Sequence, residues 1–123
     1  GRYLTVANIA TQGQADLLQQ TFQLRFPASV RTISDALHYL LRFSGYSLVS
    51  FEQLPLPAQN LLQQPLPAVD RNLGPLTLEQ GVLTLVGQPF GLVVDPAHRL
   101  LFLRIKSIYQ PIFNPVVIST VVK

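Results

Sequence analysis

The sequence predicts a small single α+β domain in which repeated helix-strand units pack on a mainly antiparallel sheet, with an extended C-terminal tail. Three observations lead there. Thr32-Ile33-Ser34-Asp35-Ala36-Leu37-His38-Tyr39-Leu40-Leu41 and Thr77-Leu78-Glu79-Gln80-Gly81-Val82-Leu83-Thr84-Leu85-Val86 share the pattern Thr-apolar-polar-polar-small-apolar-x-x-Leu-apolar. Each copy leads through a glycine into an apolar run suited to a strand. A chain of 123 residues, 48% of them apolar, is large enough to bury one core and too apolar to be intrinsically disordered.

Taken in order, Tyr3 to Val6 reads as a first strand and Thr11 to Gln20 as a short helix with Ala15, Leu17 and Leu18 inward. Phe22, Leu24 and Phe26 alternate with Gln23 and Arg25, a half-buried strand ended by Pro27. Thr32 and Thr77 cap the two repeated helices. Asp35 or Gln80, three residues on, reaches back to the cap's own N–H in a capping box. Ile33, Ala36, Leu37, Leu40 and Leu41, and Leu78, Val82, Leu85 and Val86, form the buried faces. Gly45 and Gly87 stop the helices, and strands follow at Tyr46 to Val49 and Phe90 to Val94. Four prolines between Leu54 and Pro67 leave room for one short helix around Leu61 and Leu62. Arg71-Asn72-Leu73-Gly74-Pro75 reads as a turn delivering the chain to Thr77. Asp95-Pro96-Ala97-His98-Arg99 is a second turn, closing an antiparallel hairpin with Leu100 to Ile105. The domain thus runs over residues 1–106. Residues 107–123 form an extended strand or tail, apolar, broken by Pro111 and Pro115 and ending in a β-branched run. Such a run needs a strand partner, so Val116, Val117, Ile118 and Val121 are the candidate partner-binding residues, in the same sheet, in a second copy as a homodimer, or in another protein.

Chemistry is sparse in this composition. With no cysteine, disulfides, thiolate metal sites and cysteine nucleophiles are excluded. Only 12% of residues are charged, and the nine Lys and Arg are scattered singly, which argues against nucleic acid as a partner. No apolar stretch approaches the ~18 residues of a membrane span, and Gly1-Arg2-Tyr3 does not open a signal peptide. A chain opening on glycine is read as processed or trimmed, with more sequence and an anchoring signal beyond it. Asp35 and His38 share a helix face at i, i+3, but a metal needs a further ligand, so they read as a capping acid and a partly exposed histidine. Asp95 and His98 share a turn in which a carboxylate can orient an imidazole, yet no nucleophile is near. Glu52, Asp70 and Glu79 are isolated, and the seven glycines form no phosphate-cradling loop. The reading is therefore no enzyme, no catalytic residues, no metal and no cofactor.

Three blocks carry a resemblance. Val30 to Tyr46, ending Phe43-Ser44-Gly45-Tyr46, then Pro65-Leu66-Pro67-Ala68-Val69-Asp70-Arg71-Asn72-Leu73-Gly74-Pro75-Leu76-Thr77-Leu78, then Val94-Asp95-Pro96-Ala97-His98-Arg99 before a strand, resemble the N-terminal domain of PilL-type proteins of conjugative type IVB pilus systems on integrative elements. The resemblance covers about Arg2 to Arg104. More distantly, the repeated Thr-Leu pattern is similar to the short N-terminal domains of secretins and TonB-dependent receptors. It departs from that pattern at Gly81, which stands where the family has alanine, weakens the helix by roughly 1 kcal/mol and allows closer packing. The resemblance implies a periplasmic interaction module of pilus biogenesis, outer-membrane-associated in the full-length protein, that docks to the secretin or another envelope component. The alternative is a peptidoglycan- or glycan-binding domain, suggested by twelve glutamines and by Tyr39, Tyr46 and Tyr109.

Overall fold

The computed structural model describes residues 18–109. The expected strand at Tyr3 to Val6, most of the helix expected from Thr11, and the tail from Gln110 lie outside the described residues. Leu18 and Gln19 are helical, and Leu18 is buried. Among the described residues five strands and three α-helices follow: β1 (Thr21–Arg25), α1 (Ile33–Leu41), β2 (Ser47–Leu48), α2 (Leu56–Leu62), β3 (Asn72–Thr77), α3 (Leu78–Val86), β4 (Phe90–Asp95) and β5 (Leu100–Ile105). The chain is a small α+β domain, as its pattern predicts.

The strands divide between two sheets. The strands that precede the repeated helices, β1 and β3, pair antiparallel with each other, whereas those that follow them lie in a second sheet of order β2-β5-β4. In that sheet β4 and β5 form the predicted hairpin, in register from Phe90 opposite Ile105 to Asp95 opposite Leu100, and β2 runs parallel to β5. Leu37, Leu62, Val82, Val94 and Leu101, no more than 1% exposed, place one core between the helices and this second sheet.

Both capping boxes form as the sequence demands. Thr32 Oγ1 accepts from the Asp35 N–H at 3.0 Å, and Asp35 Oδ2 accepts from the Thr32 N–H at 3.1 Å. Thr77 Oγ1 and Gln80 Oε1 reproduce the exchange at 3.1 and 3.0 Å. Each box satisfies two N–H groups that the first helical turn leaves without partners. Gly87 caps α3 with φ of 69°, as expected for a glycine stop. The first helix instead ends on Arg42, and Gly45, with φ of 82°, acts three residues later to turn the chain into β2.

The segment expected as a turn at Arg71 to Pro75 is strand from Asn72 onward. A proline is tolerated there because the ladder is irregular: Phe22 faces Leu76 but Leu24 faces Leu73, so two steps along β1 match three along β3. Gly74 sits at this bulge with φ of 105°, where a Cβ would stand 2.4 Å from the Phe22 carbonyl oxygen. Arg71 is held by tertiary contacts, its guanidinium donating to the carbonyls of Val30 at 2.8 and 2.9 Å and of Pro27 at 3.2 Å. In this way the Pro65 to Pro75 block pins the loop that leads into α1. The Leu66 N–H to Arg31 carbonyl bond at 2.8 Å adds a second tie.

Candidate docking surface

The residues singled out for chemistry occupy structural posts. Asp35 Oδ2 also accepts from the Arg31 N–H at 3.0 Å, and these backbone bonds, Arg31 first and then Thr32, hold its carboxyl below the ordinary value near 3.8. His38 Nδ1 lies 2.8 Å from the Ser34 carbonyl oxygen, a contact that requires the proton on Nδ1. Asp95 takes His98 Nδ1 at 2.9 Å and the His98 N–H at 3.3 Å, closing the hairpin turn. Burial acts to raise the Asp95 carboxyl, but these bonds outweigh it and hold it low. The His98 side chain is 75% exposed, so the pair sits at the surface. Among the described residues no group of three His, Cys, Asp or Glu is placed to hold a metal.

Tyr39 and Tyr46 do not offer open ring faces, and the Tyr109 side chain lies outside the described residues. Tyr46 is buried, its hydroxyl has no hydrogen-bond partner among the described residues, and burial pushes the phenol up from its ordinary value despite the opposing charge of Arg99. Tyr39 packs edge-on against Phe26, ring centroids 5.6 Å apart, and carries the Arg42 guanidinium 4.0 Å from its own centroid. Arg42 also lies 4.7 Å from the ring of Phe43, which is 87% exposed. Cation, aromatic and apolar surface are thereby gathered at the end of α1, above a shallow cleft of about 200 Å³ lined by Phe22, Leu24, Leu40 and Leu78.

The larger feature lies on β5. Its first half is covered by β2, with the Ser47 and Val49 N–H groups donating to the Arg99 and Leu101 carbonyls at 3.0 and 2.9 Å. Backbone groups alternate sides along a strand, so the peptide groups of Leu103 face the same side as those of Leu101. There β2 has already ended, and among the described residues no strand pairs with that stretch of edge. In its place runs a groove of about 960 Å³ lined by Leu54, Leu56, Val93, Phe102, Leu103 and Arg104.

Local sequence explains why β2 ends there. Val49 is buried and the chain then leaves the sheet through a 3₁₀ turn at Phe51–Gln53, so β2 stops after two residues. Pro55 and Pro57 flank Leu56 at the start of α2, where proline fits because the first helical N–H groups bond to nothing inside the helix. Buried Leu54 and the Gln59 Nε2 to Leu54 carbonyl bond at 3.0 Å anchor this wall, which leaves Leu56 66% exposed on the rim. On the sheet side Val93 pairs with Phe102 and Gly91 with Arg104. The Arg104 guanidinium lies across Gly91, 3.4 Å from where a Cβ would stand. The slot therefore presents backbone donors and acceptors, apolar walls and one cation, the features that bind an extended strand.

Val116, Val117, Ile118 and Val121 lie outside the described residues. Sequence reasoning does not reveal the slot, because it depends on where β2 stops relative to β5. The one available signal is Leu56, an apolar residue enclosed by two prolines in a segment too short to bury it. Comparisons with protein-family models, with curated proteins and with solved structures find nothing that matches this chain.

Proposed function

We propose that this domain is a non-catalytic docking module of a type IVB pilus or conjugative transfer system, engaging the secretin or another envelope component in the periplasm. The observation that carries the reading is the edge of β5 at Leu103, which no strand among the described residues pairs, with its apolar walls. A partner segment laid there gains main-chain hydrogen bonds from β5 and buries side chains against Phe102, Val93 and Leu56. The system and compartment come from the PilL-type blocks. Their residues serve here as caps, turns and ties, so the resemblance supports the scaffold and the slot supports the docking.

Asp35 is engaged in capping and Asp95 with His98 in closing the hairpin turn, which supports a binding role over a catalytic one. Co-purification with the periplasmic region of the cognate secretin tests the reading. Leu56→Glu, at an exposed rim position, is expected to weaken that complex at least tenfold while leaving the unfolding midpoint unchanged, because burying an unpaired carboxylate is unfavourable. Undiminished binding by this variant would remove the slot from the proposal.

A further inference from the structure

A second cleft opens where α1 hands over to β2. It holds about 360 Å³, is lined by His38, Leu41, Arg42, Gly45, Tyr46 and Leu48, and shares no residue with the β5 groove. No carboxylate is among its lining residues, and the Arg99 guanidinium stands at its lip, where a Cβ on Gly45 would lie 3.0 Å from Arg99 Nη1. We infer that this cleft binds a small organic anion, a carboxylate or phosphate head on a short apolar body, with Arg42, Arg99 and the Tyr46 hydroxyl taking the head.

Each of these groups is a donor that the fold leaves uncommitted. A guanidinium carries only donors and keeps its charge at any ordinary pH. Among the described residues neither Arg42 nor Arg99 pairs with a carboxylate; Asp35 and Asp95, the acids nearest them in sequence, are committed to the α1 cap and to His98. Arg42 is stacked 4.0 Å from the Tyr39 ring centroid and 4.7 Å from that of Phe43, so little side-chain freedom is left to lose on binding. Arg99 has φ of 54°, a region that residues with side chains seldom occupy, and Gly45, with φ of 82°, has no Cβ to push its guanidinium away. Tyr46 is 3% exposed and its hydroxyl has no partner among the described residues, although a buried phenol ordinarily finds one. The Arg99 charge acts on that hydroxyl, so the two donors are neighbours.

The walls decide the body of the ligand. Leu41 is buried and Leu48 half-buried, and the cleft has the size of a small-molecule site, larger than a bare oxyanion fills. His38 has Nδ1 committed to the Ser34 carbonyl at 2.8 Å, which leaves Nε2 as its remaining polar atom. The carbonyl end of α1 opposes an anion with about half a charge, against two full guanidinium charges. Because cleft and groove share no lining residue, the anion site stands or falls apart from the docking reading.

Nuclear magnetic resonance titration of the nitrogen-labelled full chain at constant ionic strength tests the site. The probes are N-acetyl-leucine and phenyl phosphate, with acetate and inorganic phosphate as their bare heads and chloride as the reference. Saturable shifts of the Gly45, Tyr46 and Ser47 amides are expected, with at least one organic probe binding about tenfold tighter than its bare head. Arg99→Gln should weaken that binding about tenfold, whereas Arg25→Gln, which removes an exposed charge outside the cleft, leaves it unchanged. Tyr46→Phe should weaken it about fivefold without lowering the urea midpoint, because the hydroxyl it removes has no partner in the free protein. Shifts that never saturate, or that chloride reproduces, would overturn the site. So would full affinity in Arg99→Gln or in Tyr46→Phe, or equal losses in Arg25→Gln and Arg99→Gln. Organic probes that bind no tighter than their bare heads would overturn it as well, since the apolar walls would then contribute nothing.

Discussion

The two repeated helices differ most where their sequences differ by a single methyl group. Ala36 in α1 and Gly81 in α3 each stand four residues after the capping threonine, and both are buried. Around Gly81 the space a Cβ would need is taken: it would stand 2.7 Å from the Phe22 ring and 3.3 Å from Leu40 of α1. The glycine that weakens α3 as an isolated helix is therefore what lets a β1 aromatic and the neighbouring helix close over it. One local code, a capped amphipathic turn, serves two packing environments. The interior penalty of glycine in α3, about 1 kcal/mol, is offset by contacts that alanine would block.

The units diverge again after their helices. The strand that follows α1 is two residues long and pairs only with Leu100 and Leu101 of β5, while the strand that follows α3 runs six residues in full register. Equal starts thus lead to a short edge in one unit and a complete hairpin in the other. The candidate docking surface is the difference between them.

Substitutions at matched positions sharpen this comparison. The largest effect is expected in the core, where Leu37 and Val82 occupy equivalent places and both are fully buried. Leu37→Ala should cost about 3 kcal/mol and Val82→Ala about 2, following the methyl groups removed and the cavities left. Urea midpoints would read both, and equal costs would show that one unit relaxes around its cavity and the other does not.

A smaller effect with a reversible sign is expected at Gly81. Gly81→Ala should destabilise by about 1 kcal/mol, because displacing the Phe22 ring outweighs the gain in helix propensity. In a Phe22→Ala background the same substitution should stabilise by about 1 kcal/mol. A double-mutant cycle with no coupling would mean that the ring is not what requires glycine there.

The smallest contrast is electrostatic. Asp35 and Gln80 make the same capping bond, but only Asp35 titrates, and its folded pKa lies below the unfolded value near 3.8. Its contribution is therefore complete above the unfolded pKa and is lost as pH falls through the lower, folded one. Asp35→Asn should flatten the fall in stability below about pH 4, and Gln80→Glu should steepen it. Asp95, also held low, adds to that fall, while Asp70, raised by burial, opposes it, so the test is the difference between variants at one pH. An unchanged acid limb in Asp35→Asn would mean that its backbone bonds do not persist in solution.

Local signals in this chain proved legible where a residue's neighbours in sequence are also its partners in space. Thr32 with Asp35, Thr77 with Gln80, the hairpin turn at Asp95 and the prolines around Leu56 all act within five residues. The errors fell where partners are distant. Arg71 to Pro75 reads as a turn because Gly and Pro mark turns locally, yet β1 recruits Asn72 to Thr77 into a bulged ladder. Tyr46 looks available for ligand contact in the sequence and is buried in the fold. The α1 terminus shows a milder form of the same limit, since Gly45 turns the chain and Arg42, stacked on Tyr39, occupies the cap.

The sequence by itself determined the class of this domain, the start of both repeated helices, the β4–β5 hairpin and the scarcity of catalytic groups, because capping, periodicity and turn chemistry operate over a few residues. Only the tertiary structure decided that the strands split into two sheets, that Phe22 closes over Gly81 and that β2 stops short beside β5. Strand pairing joins residues far apart in the chain, and its extent is set by which backbone groups meet in space. No local pattern contains that information.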